Sequence, residues 1–130
     1  MSSPQVGQAS GGSRAAAISN HVVRLVREYT GRGPTGARAH VDDDLITVVL
    51  WDTLTRGEQS LVRDGQSARV LDTRKAYQAT MRAELVAGIE NITGRRVIAF
   101  FSDNHIDPDM AIEAFALEPR KGEAAADAPG

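Results

Sequence analysis

The sequence predicts an α+β fold: an antiparallel four-stranded sheet made of two β-hairpins, packed against a long α-helix and an N-terminal helix. Three observations predict it. Two β-favouring apolar runs, Leu45–Trp51 and Val97–Phe101, flank a helical pattern about 26 residues long. An amphipathic helical stripe precedes the first run. Asp- and Asn-rich turns stand where each run would reverse. The element order is therefore helix, two strands, two helices, two strands.

At 130 residues the chain fits one domain with a real hydrophobic core. Hydrophobic residues make up 42% and charged residues 25%, which is ordinary for a folded protein. The formal charge is -2, and the basic residues, mostly Arg, are scattered among acids. That argues against a nucleic-acid partner, which would call for a basic face. Cysteine is absent, so disulfides and thiolate chemistry are excluded, and a reducing cytoplasm fits. The start, MSSPQVGQASGGSR, lacks the apolar core of a secretory signal, and no run approaches the roughly 18 apolar residues of a membrane span. The expectation is a soluble, cytoplasmic protein without direct membrane insertion. It could still sit at a membrane through a protein partner.

Residues 1–13 are polar and small, and are expected to form a disordered tail. A single domain is expected over 14–119. Its first helix begins near Arg14, with Ile18, Val22, Leu25, Val26 and Tyr29 at helical spacing and Gly31 just past its end. Ala37–Asp42 and Leu45–Asp52 read as strands joined at Asp43-Asp44. Leu45, Val49 and Trp51 point one way and Ile46, Val48 and Leu50 the other, so this strand is apolar on both faces. It is expected to be central, with helices on one side and the first helix or a second copy of the chain on the other. Self-association follows as an expectation.

Thr55-Arg56-Gly57-Glu58 has the spacing of a capping box and opens a short helix to about Arg63, closed by Asp64-Gly65. The long helix spans about Gln66 to Asn91, roughly 40 Å at 1.5 Å per residue. Leu71, Tyr77, Met81, Leu85, Ile89 and Ile92 trace its inner stripe, with Arg69, Arg74, Lys75, Arg82 and Glu90 largely off it. After Thr93-Gly94 comes the strand at Val97. The segment 108–117 admits two readings. Asp107-Pro108 could cap a helix, or the segment could pair back on Val97–Phe101 as a hairpin, which the turn-rich residues before it favour. Residues 120–130 read as a second disordered, charged tail.

Candidate chemistry is sparse. Gly31-Arg32-Gly33-Pro34-Thr35-Gly36 matches the letters of a dinucleotide-binding motif, but that motif needs a strand before it and a helix after. Here the order is reversed, and a Pro-stiffened connection is the simpler reading. Asp103, His105, Asp107 and Asp109 alternate and invite a metal, which would need His40 or Asp42 as further ligands. Counted as a calcium loop, the sixth and twelfth positions hold Pro108 and Ala114 instead of Gly and Glu. A solvated turn without metal is the expectation. His21 lies in the first helix. His40 could pair with nearby acids, yet no nucleophile elbow or other catalytic constellation accompanies it. No enzyme activity and no cofactor are expected.

Three stretches taken together carry a resemblance: YTGRGPTGARAHVDDDLITVVL (29–50), LTRGEQSLV (54–62) and TGRRVIAFFSDNHIDPDMAIEAFAL (93–117). In this order they resemble the MpsC family of small bacterial proteins, over about residues 14–119. The resemblance implies the hairpin reading of 97–117 and a setting beside a cation-translocating, membrane-potential-generating system linked to inorganic-carbon uptake. It implies transporter subunits as partners and carries no catalytic residues over. The functional expectation is a non-catalytic accessory or interaction protein of a cation- or bicarbonate-linked transport system. The alternative is a small-ligand or anion-binding domain using the Gly31–Gly36 loop, with Gly33, Thr35, Arg38 and His40 in contact with the ligand.

Overall fold

The computed structural model describes residues 12–120. The tails expected to be disordered otherwise lie outside these residues. Helix α1 (Gly12–Thr30) starts two residues before the expected boundary and buries Ala15, Ile18, Ser19, Val22, Leu25 and Val26. These recur three and four apart, which places them on one face. Gly31 ends the helix at φ 82°, its N–H donating to Arg27 O at 2.9 Å. This left-handed position suits glycine because no Cβ clashes there.

Strands β1 (Gly36–Asp42) and β2 (Leu45–Trp51) form an antiparallel hairpin closed by Asp43-Asp44. Helix α2 (Arg56–Arg63) opens with both halves of the capping box: Thr55 Oγ1 accepts from Glu58 N, and Glu58 Oε1 accepts from Thr55 N. Helix α3 (Ser67–Thr93) is followed by Gly94 at φ 69°. Strands β3 (Val97–His105) and β4 (Met110–Leu117) form the second hairpin, so the segment 110–117 is a strand. The sheet order is β1-β2-β4-β3, antiparallel throughout, which is the expected α+β arrangement.

Both long helices lie on the same side of the sheet, α1 against β1 and β2 and α3 against β3. Between them and the sheet sit Ile46, Val48 and Leu50 of β2 with Ala111, Phe115 and Leu117 of β4, all at most 5% exposed. Fully burying each large apolar side chain contributes about 1.5–3 kcal/mol. The two helices also meet each other. The His21 ring lies against Gly88, with Nε2 3.1 Å from Glu84 O, and Tyr29 donates its hydroxyl to Glu84. The first helix therefore does not cover the far face of β2, and that face of the sheet carries neither helix.

The inner stripe of α3 differs from the expected one. Its buried residues are Val70, Arg74, Gln78, Met81, Leu85 and Ile89, spaced four, four, three, four and four apart. Leu71 is exposed, and Arg74, expected off the stripe, is 4% exposed. The reason is local: the N-terminal half of α3 packs against polar partners, so an apolar stripe drawn through that half misses the buried side.

Candidate functional site

Antiparallel registry sorts the side chains of the open face into rungs that run straight across the sheet. One rung is Arg38–Val49–Ile112–Asp103, the next His40–Thr47–Ala114–Phe101. Beyond them lie Asp42–Leu45–Ala116–Ala99 at one end and Gly36–Trp51–Met110–His105 at the other. Large apolar side chains on this face stand open to solvent: Leu45 is 46% exposed, Ile112 39% and Phe101 60%. A shallow depression of about 260 Å³ lies over Val49, Met110 and Ile112, bordered by Asp103 and His105. The outer strands supply polar and charged groups, Arg38 and His40 on β1 and Asp103 on β3.

The glycine loop is held by contacts of its own. Arg27 lies against Gly33, with Nη2 2.6 Å from where a Cβ would stand. Thr35 donates its hydroxyl to the Asp52 carboxylate, its N–H donates to Trp51 O at 3.0 Å, and Arg32 Nε donates to Asp52 O at 3.2 Å. The loop is thus tied to the end of β2. Arg38 and His40 are both exposed, two residues apart on one face of the edge strand. The structure brings this pair together and leaves Gly33 and Thr35 engaged elsewhere.

The four residues of the acidic turn also part company. Asp103 sits on the open face and accepts from Asn104 N at 2.9 Å. His105 Nδ1 is 2.8 Å from Pro108 O, and Asp107 is exposed before the cis Pro108 bond. Asp109 is half-buried and bonded, where a freely solvated side chain was expected. Its carboxylate accepts from Thr53 N at 3.0 Å, Thr53 Oγ1 at 3.3 Å and Leu54 N at 3.0 Å, while its carbonyl accepts from Asp52 N. These bonds pin the β3–β4 turn to the β2–α2 connection. Among the described residues no group of three or more His, Asp or Glu side chains is placed to hold a metal ion.

A polar seam lies on the other side of the sheet, under α3, and the sequence reading missed it. Glu58, Arg74, Gln78 and Glu113 are all less than 10% exposed. Arg74 donates to Glu58 Oε1 at 2.9 Å and to Thr53 O. Gln78 and Asn104 exchange amide hydrogen bonds at 3.0 and 3.2 Å, and Gln78 Nε2 lies 3.4 Å from Glu113 Oε2. Glu113 is 1% exposed, and burial pushes its carboxyl up to about 7, with Ser102, Gln78 and the Arg74 charge pulling the other way. Among the described residues Glu58 Oε2, Arg74 Nε and Glu113 Oε1 have no hydrogen-bond partner, which places a cost of burial in this seam. The signal was in the alternation of MAIEAFAL: once 110–117 is a strand, Ala111, Glu113, Phe115 and Leu117 share the inward face.

Two searches, of curated proteins and of solved structures, return no match. A comparison with protein families matches residues 10–119 to the family described as Na+-translocating membrane potential-generating system (MpsC). The chain belongs to the MpsC family. That match spans every helix and strand described above, and the family description sets the MpsC fold within a membrane-associated cation system. Among the described residues no helix of this MpsC chain is long and apolar enough to cross a membrane.

Proposed function

We propose that this chain is a non-catalytic accessory protein of a cation- or bicarbonate-linked membrane transport system, cytoplasmic and held at the membrane by protein contacts. In this reading it works as a homo-oligomer. The observation that carries the reading is the MpsC family match over residues 10–119. An apolar sheet face that none of the described helices covers supports an interaction role, because contiguous exposed apolar surface marks contact sites. The test is co-purification: a tagged full-length chain expressed in its native cells, with membranes isolated and extracted in mild detergent. Multi-span transport subunits are expected in the eluate, and the chain is expected to leave the membrane fraction when those subunits are deleted. A chain that stays off the membranes and captures no transport subunit overturns the reading.

A second reading rests on Arg38 and His40, which share an exposed face. It is anion binding by this pair, without the glycine loop. Thermal-shift titration with bicarbonate and phosphate tests it: a rise in melting temperature lost in Arg38→Ala supports it, and no rise with either anion sinks it.

A further inference from the structure

We propose that the open sheet face is the contact between two copies of this chain, stacked sheet on sheet about a two-fold axis that runs parallel to the strands between β2 and β4. This assigns a surface and a geometry to the self-association proposed above, and rests on that reading. Exposed Leu45, Ile112 and Phe101 supply the apolar surface of that face. Two aligned sheets of this kind pack about 10 Å apart with strand directions within about 30°.

The rungs select the axis. Rotation about a line parallel to the strands keeps each residue at its height and exchanges left for right. Strand β1 of one copy then covers β3 of the other, and β2 covers β4. Arg38, Val49, Ile112 and Asp103 occupy one rung. Arg38 therefore stands over Asp103 of the second copy, Val49 over its Ile112, and the symmetry repeats both pairs. Leu45 covers the small Ala116, and His40 covers Phe101. Asp42 and His105 fall at opposite corners, where the twist of each sheet opens the stack to water.

An axis perpendicular to the strands is less favourable. Centred on the His40 rung, it would pair Arg38 with Asp42, but it would stack His40 on His40 and press Asp103 against Ala99 with no cation. Burying an unpaired carboxylate is costly. Four strands of seven residues give a face of roughly 19 by 24 Å, about 450 Å² of flat area per copy. That is small for a specific interface, so a dimer of micromolar affinity is expected.

The test uses the full-length chain. Sedimentation equilibrium across the micromolar range is expected to show a monomer–dimer equilibrium. Arg38→Glu or Asp103→Arg alone is expected to weaken the dimer at least about tenfold, and the two together to restore most of it. Both sites are exposed, and far-UV circular dichroism confirms that each variant keeps the fold. Crosslinking fixes the axis, because the chain has no cysteine of its own. His40→Cys and Phe101→Cys are prepared as separate proteins and treated with a short bis-maleimide. With the axis parallel to the strands, only the mixture crosslinks. Crosslinking of either variant alone means the perpendicular axis and overturns the proposal. A dimer indifferent to both the charge changes and the crosslinker uses another face; it overturns this surface and leaves self-association standing. A monomer throughout overturns both, while association with a transport system is still judged by co-purification.

Discussion

Asp109 and His105 lie in the same turn, yet their removal is expected to have opposite consequences. Asp109 accepts three hydrogen bonds from Thr53 and Leu54, two of them from backbone N–H groups, and both of those residues are buried. Asp109→Ala would strand those donors, at a cost of roughly 2–4 kcal/mol. His105 is exposed, and its one hydrogen bond, to Pro108 O, can be replaced by water. His105→Ala is expected to change stability by no more than about 0.5–1 kcal/mol. Urea unfolding of both variants checks the contrast, and equal losses would contradict it. Glu113 makes a further residue-scale prediction. Its carboxyl titrates near 4.5 unfolded and about 7 when buried, so the folded chain holds that proton more tightly. The stability this brings is whole below the unfolded value and is lost as pH rises through the folded one, by roughly 3 kcal/mol. Arg74 of α3 and Glu58 of α2, paired at 2.9 Å, are the other buried charged groups of the seam. Glu113→Gln is expected to flatten the pH dependence between about pH 5 and pH 8 and to exceed the parent in stability at the upper end. Parallel pH profiles for the two proteins would refute this.

At the scale of elements, the packing of α1 on α3 turns on one glycine. A Cβ at Gly88 would stand 2.0 Å from the His21 ring, so Gly88→Ala forces the ring or the helices apart. Overpacking costs about 1–3 kcal/mol, while the gain in helix propensity returns up to about 1 kcal/mol. A net loss of about 1–2 kcal/mol is expected by chemical denaturation, and His21→Ala in the same chain is expected to relieve it. A Gly88→Ala variant as stable as the parent would show that the helices yield without cost. The seam between α2, α3 and β4 has a larger expected effect. Arg74→Ala leaves Glu58 buried without its cation, at about 3–5 kcal/mol. Thermal unfolding of this variant checks it. The apolar elements were legible because their periodicity is clean: Ile18, Val22, Leu25 and Val26 are buried as spaced, and the Thr55–Glu58 capping box is present in both halves. Helix or strand at 110–117 was settled only by pairing, since Ala, Met and Glu favour helix in isolation and tertiary contacts override that preference. Arg74, Gln78 and Glu113 were not legible as buried, because polar residues join an inner face only when distant partners meet them. Of the residues considered for ligand contact, Arg38 and His40 do share a face, but the bonds that occupy Thr35 and Asp109 span 17 and 56 residues and leave no local mark.

For the molecule as a whole, a stacked dimer makes stability depend on protein concentration. Because dimerisation stabilises only the folded chain, the melting temperature is expected to rise with concentration across the micromolar range. Arg38→Glu is expected to lose that rise, and a concentration-independent melting temperature in the parent would count against the dimer. The strand order has a separate consequence. β4 is inserted between β2 and β3, although it is the last of the described strands. Until it arrives, the β1–β2 hairpin keeps one edge of β2 unpaired, and β3 has no neighbour at all. A chain interrupted before Met110 would therefore expose Leu45–Trp51 along a free, apolar edge, the kind of surface on which nascent chains adhere to one another. The hazard for this fold thus falls in the interval before β4 is made, when quality control would meet the chain as half a sheet awaiting its middle strand.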